Sequence, residues 1–134
     1  MAQTTKNIVR LNVAVTQNSY KNLIVYQKAV DLSYEIIKYF SDINLPKSKE
    51  FIVLQLLRAI ASVGANIAEG YGRFYKKYYR QFLSIARGSS FESDYWLEMI
   101  DKLDEFDKEK VRDFVNRNTE LSKMLTATMK RLQD

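Results

Sequence analysis

The chain has 134 residues, 46% of them hydrophobic, and 21 Lys and Arg against 16 Asp and Glu, for a net charge of +5. That length and apolar content fit one domain with one continuous core. There is no cysteine and no histidine, which excludes disulfide frameworks, thiolate zinc sites and cysteine nucleophiles and removes the commonest general base and metal ligand. One proline and four glycines are too few turn residues for a sheet protein of this size, so long helices are expected.

Residues 1–19 are rich in Thr, Asn and Gln and show no helical period, which predicts a tail. Within it Leu11, Val13 and Val15 alternate with Asn12, Ala14 and Thr16 in a weak strand pattern. The apolar patch Val9 to Val15 is interrupted by Arg10 and Asn12 and has no small-residue cleavage site after it, so it is not a signal peptide. No stretch reaches the roughly 20 apolar residues of a membrane span. The expected setting is the cytoplasm, without membrane contact.

A first helix is predicted over about residues 20–41, capped by Asn18 or Ser19, with a buried seam of Leu23, Tyr26, Val30, Ile37 and Phe40. Pro46 ends it. A second helix runs over about 48–70 with Ser48 as its cap. Phe51, Leu54, Leu56, Leu57, Ile60, Val63 and Ile67, with a small-residue row of Ala61, Gly64, Ala65 and Ala68, cover most of its circumference. A helix of a lone bundle keeps a solvated face, so this one calls for an additional interface. Gly70 is expected to stop it in left-handed geometry.

A third helix is expected over about 74–103, some 45 Å long at about 1.5 Å per residue. Its predicted seam is Tyr75, Tyr78, Phe82, Ile85, Ser89, Glu92, Trp96, Met99 and Leu103. The acidic link Asp104 to Asp107 leads to a fourth helix, about 107–132, carrying Val111, Phe114, Asn118, Leu121, Leu125, Thr128 and Leu132. Short connections between long amphipathic helices imply antiparallel neighbours. The fold class is therefore all-α, an antiparallel up-down four-helix bundle.

The third helix is charged against its own dipole. Arg73, Lys77, Arg80 and Arg87 lie four, three and seven apart, Lys76 stands beside them, and no acid occurs from Phe74 to Arg87. The far end carries Glu98, Asp101, Asp104 and Glu105. Each such charge opposes the macrodipole by roughly 0.3 to 1 kcal/mol. Either acids of adjacent helices or subunits neutralise the stripe, or it is a surface for phosphate backbones with tyrosines nearby. Residues 1–87 sum to +8 and residues 88–134 to −3, so the chain is polarised.

Arg58, Asn66, Ser89 and Glu92 are read as a buried polar network, since a core charge must be paired and hydrogen-bonded. No catalytic residue, metal site or cofactor site is assigned. Gly70-Tyr71-Gly72 follows a helix rather than a strand and is not a dinucleotide fingerprint, and a di-iron bundle site lacks its histidines.

From Tyr20 to Leu103 the sequence resembles the bacterial four-helix-bundle family encoded by intervening sequences within large ribosomal RNA genes, itself similar to the accessory variability determinant of diversity-generating retroelements. The resemblance rests on Tyr20-Lys-Asn-Leu-Ile-Val-Tyr-Gln-Lys-Ala29 and on Gln55-Leu-Leu-Arg-Ala-Ile-Ala-Ser-Val-Gly-Ala-Asn-Ile-Ala-Glu-Gly70, and continues through Gly72-Arg73, Lys76-Lys77, Phe82-Leu83, Ile85-Ala86 and Gly88-Ser89 to Glu92. The chain departs from the family where it has Leu57-Arg58 in place of paired arginines and Gly64 in place of a proline. The resemblance implies a homopentamer without enzymatic activity, and in retroelements a basic scaffold that binds a reverse transcriptase and its RNA or DNA. The expectation is thus a non-enzymatic oligomeric accessory protein that contacts nucleic acid through Arg73, Lys76, Lys77, Arg80 and Arg87. The alternative is a structural protein-interaction module with no direct nucleic-acid role.

Overall fold

A computed structural model describes residues 19–133, so all of the expected tail except Ser19 lies outside the described residues. Ser19 caps a single 3-10 turn, Tyr20–Asn22, by accepting the Lys21 N–H at 3.2 Å. Four α-helices follow: α1 Ile24–Ser41, α2 Lys47–Tyr71, α3 Lys76–Lys102 and α4 Lys108–Arg131. No strand occurs among the described residues.

The helix ends follow from local chemistry. Pro46 stands just outside α2, where no helical N–H is asked of it, and its carbonyl accepts from Lys49 and Glu50 at 3.0 and 2.9 Å. Ser48, expected as the cap, lies inside the helix, and no side chain caps this end. Asp107 caps α4 by accepting the Glu109 and Lys110 N–H groups at 2.9 and 3.2 Å, which also sets a negative charge at the positive end of the dipole.

Helix α1 packs on α2, α2 on α3, α3 on α4, and α4 returns to α1, closing a four-membered ring. Neighbours run antiparallel: Gly70 of α2 meets Tyr79 and Phe82 of α3, while Phe51 at the other end of α2 meets Trp96. The core is formed by Leu32 and Ile36, by Leu56, Ile60, Val63 and Ile67, by Leu83, Leu97 and Ile100, and by Phe114, Leu121 and Leu125, all essentially without solvent exposure.

Two predicted seams were rotated. The buried line of α3 is Leu83, Ala86, Ser90, Ser93, Leu97 and Ile100, one residue, or about 100°, from the expected one. The aromatic and branched residues that suggested a seam, Tyr75, Tyr78 and Ile85, point to solvent. Small residues instead allow α3 and α4 to approach closely, and the polar ones are satisfied there. Ser90 Oγ donates to Asn118 Oδ1 at 2.8 Å, and Asn118 Nδ2 donates back to the Ser90 carbonyl at 2.9 Å. In α1 the buried line is Val25, Ala29, Leu32, Ile36 and Phe40, leaving Val30 and Ile37 43% and 41% exposed.

Helix α2 is apolar on both sides of its axis. Inward it supplies the core; outward Phe51 and Leu54 are 55% and 53% exposed, followed by exposed Ala61 and Ala65. The expectation that nothing in the chain has the length and apolarity of a membrane span is corrected by this helix, which has both. Its buried side is claimed by the bundle core, which a spanning helix would have to abandon. Its outer strip joins Val30 of α1, whose Cγ2 lies 4.0 Å from the position of a Cβ on Gly64.

Gly70 is also corrected. No described residue has positive φ, and Gly70 lies within α2 rather than beyond it. Its lack of a side chain is needed for packing: a Cβ would stand 2.5 Å from Phe82 Cβ and 3.3 Å from the Tyr79 carbonyl oxygen. Gly88, in the middle of α3, has nothing within 4 Å of that position. Urea denaturation should therefore separate the two glycines. Gly70→Ala is expected to destabilise by about 1 to 3 kcal/mol through overpacking, and Gly88→Ala to stabilise by about 0.5 to 1 kcal/mol through helix propensity.

Candidate nucleic-acid interface

The four basic residues expected to form one stripe, with Lys76 beside them, are divided by the structure. Arg73 precedes α3, donates to Glu69 at 2.7 Å and lies with its guanidinium carbon 4.8 Å from the centre of the Phe82 ring, on the side of α3 that meets α2. Lys77 rests over the Tyr78 ring at 5.0 Å. Arg80 and Arg87 lie two turns apart on one line of α3, and Arg87 reaches α4, where its Nε donates to Thr126 Oγ1 at 2.7 Å. Lys76 opens the helix beside them.

Sequence reasoning missed Lys123 and Lys130. They are seven apart on the outer face of α4, and both line a groove of about 480 Å³ between α3 and α4 together with Arg87 and Phe91. The signal was available: no acid occurs from Leu121 to Gln133, as none occurs from Phe74 to Phe91. Antiparallel packing places these two acid-free segments side by side. Among the described residues, Arg80, Arg87, Lys123 and Lys130 have no carboxylate within ion-pair distance, whereas the ion pairs of the bundle lie elsewhere. Lys49 meets Glu105, Lys108 meets Asp101 and Asp104, Arg117 meets Glu35, and Lys28 draws Glu120 toward α1. Several acids are thus paired with bases away from this face, and Arg80, Arg87, Lys123 and Lys130 are left without a carboxylate partner among the described residues.

The polar network is half as expected. Asn66 donates to the Ser62 carbonyl and to Ser62 Oγ, each at 2.8 Å, and Ser62 Oγ lies 2.9 Å from Ser89 Oγ, so Asn66 and Ser89 are joined through a serine not singled out. Arg58 and Glu92 are exposed and lie outside this chain of contacts. Their helices are turned so that both charges reach water, which avoids desolvating them, and Glu92 accepts instead from Trp96 Nε1 at 3.2 Å. The buried polar groups are Ser90, Ser93, Asn118 and Ser122.

At the basic end of the bundle four tyrosines meet edge to face, Tyr26 on Tyr20, Tyr20 on Tyr71 and Tyr71 on Tyr79, with ring centres 4.9, 6.3 and 5.8 Å apart. Burial, with Tyr71 adding and Arg131 opposing, pushes the Tyr79 phenol above its ordinary value; burial and then Tyr20 do the same to Tyr26. These phenols hold their protons near neutrality and are poorly suited to act as bases. Among the described residues no group of three acids is placed to hold a metal ion. Because both folded values are raised, the folded state keeps protons that the unfolded chain releases. Their contribution is present below the ordinary phenol pKa of 10.0 and lost as pH rises through the folded values. Urea midpoints should hold up to about pH 10 and fall beyond it, and Tyr79→Phe should make that fall shallower; an unchanged slope would contradict the assignment.

An all-helical ring of four helices with a lopsided charge distribution is the class that the geometry defines. The family model for the 23S rRNA-intervening sequence protein matches residues 21–127, and the chain belongs to that family. Among solved structures it is similar to a protein of unknown function from the S23 ribosomal protein family of Bacteroides thetaiotaomicron VPI-5482. The two share 28% identity at a TM-score of 0.70, over 80% of this chain and 99% of that one. No curated protein matches.

Proposed function

We propose that this chain is a non-enzymatic, self-associating accessory protein that binds nucleic acid along the joint face of α3 and α4. The observation that carries the reading is the juxtaposition of two acid-free basic segments, with no carboxylate partners among the described residues for Arg80, Arg87, Lys123 and Lys130. Crowding like charges at the start of α3, against its dipole, costs stability. A polyanion would offset that cost by releasing its own counterions on contact. Lys76 and Lys77 extend the face toward the bundle end, while Arg73, paired with Glu69, stands outside it.

Self-association draws on the outer strip of α2. Phe51, Leu54, Ala61 and Ala65 make a largely apolar strip, crossed by the exposed Arg58, that a lone bundle leaves wet, and the pentamer implied by the sequence resemblance would cover it. The same strip supports the rival reading, a protein-interaction module without a nucleic-acid role. A reverse transcriptase, the partner expected of retroelement relatives, would join such a complex as a second protein.

Charge reversal separates the readings. Lys123→Glu with Lys130→Glu should lower RNA and DNA affinity by about tenfold at low salt and flatten the slope of log affinity against log salt by about 1 to 2. Reversal of Lys38 and Lys47, away from the face, should change little. Equal affinity for all three proteins would remove the nucleic-acid reading. Light scattering is expected to show an oligomer at micromolar concentration, and a clean monomer would overturn the self-association half.

A further inference from the structure

We propose that the groove between α3 and α4 seats one unstacked base of a single-stranded nucleic acid, with the flanking phosphates held by Lys123, Lys130 and Arg87. This rests on the reading of the face as a nucleic-acid surface and specifies the form of nucleic acid it takes.

A surface made only to hold phosphates needs cations and nothing more. This one also has a concave floor. The groove is open to solvent and spans about 480 Å³, within the roughly 300 to 1,000 Å³ of small-ligand clefts. Its walls are Phe91 and Ala127 on the apolar side and Arg87, Thr126, Lys123 and Lys130 on the polar side. Phe91 leaves half its surface open to solvent although it stands among charged and hydroxyl-bearing neighbours. The Arg87 guanidinium carbon lies 4.5 Å from the centre of the Phe91 ring, and its Nε is tied to Thr126 Oγ1 at 2.7 Å. Thr126 Oγ1 donates in turn to the Ser122 carbonyl at 2.9 Å. The flat guanidinium is thereby held against the flat ring before any ligand arrives, so little of its side-chain entropy is lost on binding. Planar arginine and phenylalanine surfaces are the groups on which unpaired bases stack.

The cations stand where the phosphates of such a strand would pass. Lys123 and Lys130 are seven residues apart, about 10.5 Å along the axis, and neither has an acid to hold it among the described residues. A duplex presents its phosphates but keeps its bases stacked inside, so it touches the rim and leaves the groove empty. A single strand satisfies both.

Fluorescence anisotropy with a short labelled single strand, its duplex and an abasic strand of equal length tests this on the full chain. The single strand should bind more tightly than the duplex. Phe91→Ala should weaken it by about fivefold or more, the scale of losing one stacked base, while leaving the duplex and the abasic strand unchanged. Ala127→Trp, which fills the groove from an exposed position without altering charge, should weaken the single strand alone in the same way. Helical circular dichroism of both variants should match the parent, because neither position belongs to the core. If single strand, duplex and abasic strand bind alike and neither variant matters, the seat is wrong while the basic face stands. If none of the three binds, both readings fall.

Discussion

Ser90 and Asn118 exchange hydrogen bonds at the centre of the α3–α4 contact, and the register they hold decides what lies on the surface above them. Removing either partner would strand a buried polar group at a cost of about 1 to 3 kcal/mol, so the register is strongly specified. With Ser90 opposite Asn118, residues before Ser90 on α3 stand beside residues after Asn118 on α4. Apart from Glu120, which pairs with Lys28 of α1, those are the halves without acids. The small residues of the α3 seam, Ala86, Ser90 and Ser93, are what permit this close approach. Shifting α4 by one turn would carry Thr126 away from Arg87 and break up the groove.

The bundle divides its surfaces by physical character. Acids and their cation partners gather at the α3–α4 connection and along α1–α4, where Glu105, Asp101 and Glu35 each meet a base. Apolar side chains are left over on the outside of α2 and on Val30 and Ile37 of α1. Uncompensated cations are left over on α3 and α4. Each remainder is what an isolated bundle would not need, and each suits a different partner: the first another protein surface, the second a polyanion.

Much of this was legible in the sequence. Four helices and their connectors followed from period and from Pro46, and the core of α4 could be read directly because Val111, Phe114, Leu121 and Leu125 keep one helical line through Asn118. The core line of α3 could not, because hydrophobic size and burial part company there: the bundle buries alanine and serine and exposes tyrosine. Gly70 looked like a stop signal but is a packing requirement, which depends on where Phe82 lies and so on tertiary structure. The basic stripe was visible as an absence of acids. Its true extent was hidden by summing charge along the chain, since the acids between Glu92 and Glu120 mask the basic end of α4 that follows. Arg58 and Glu92 were assigned to the core on spacing alone, and the actual helix rotation carries both to water.

The central claim is that antiparallel packing of α3 and α4 creates one contact surface for nucleic acid out of two distant stretches of chain. Lysine acetylation read by mass spectrometry, with and without bound single-stranded RNA, tests it most directly. The account predicts protection of Lys76, Lys77, Lys123 and Lys130 together, with Lys38, Lys47 and Lys102 still reactive. Protection confined to α3, or spread evenly over all of these lysines, would contradict it.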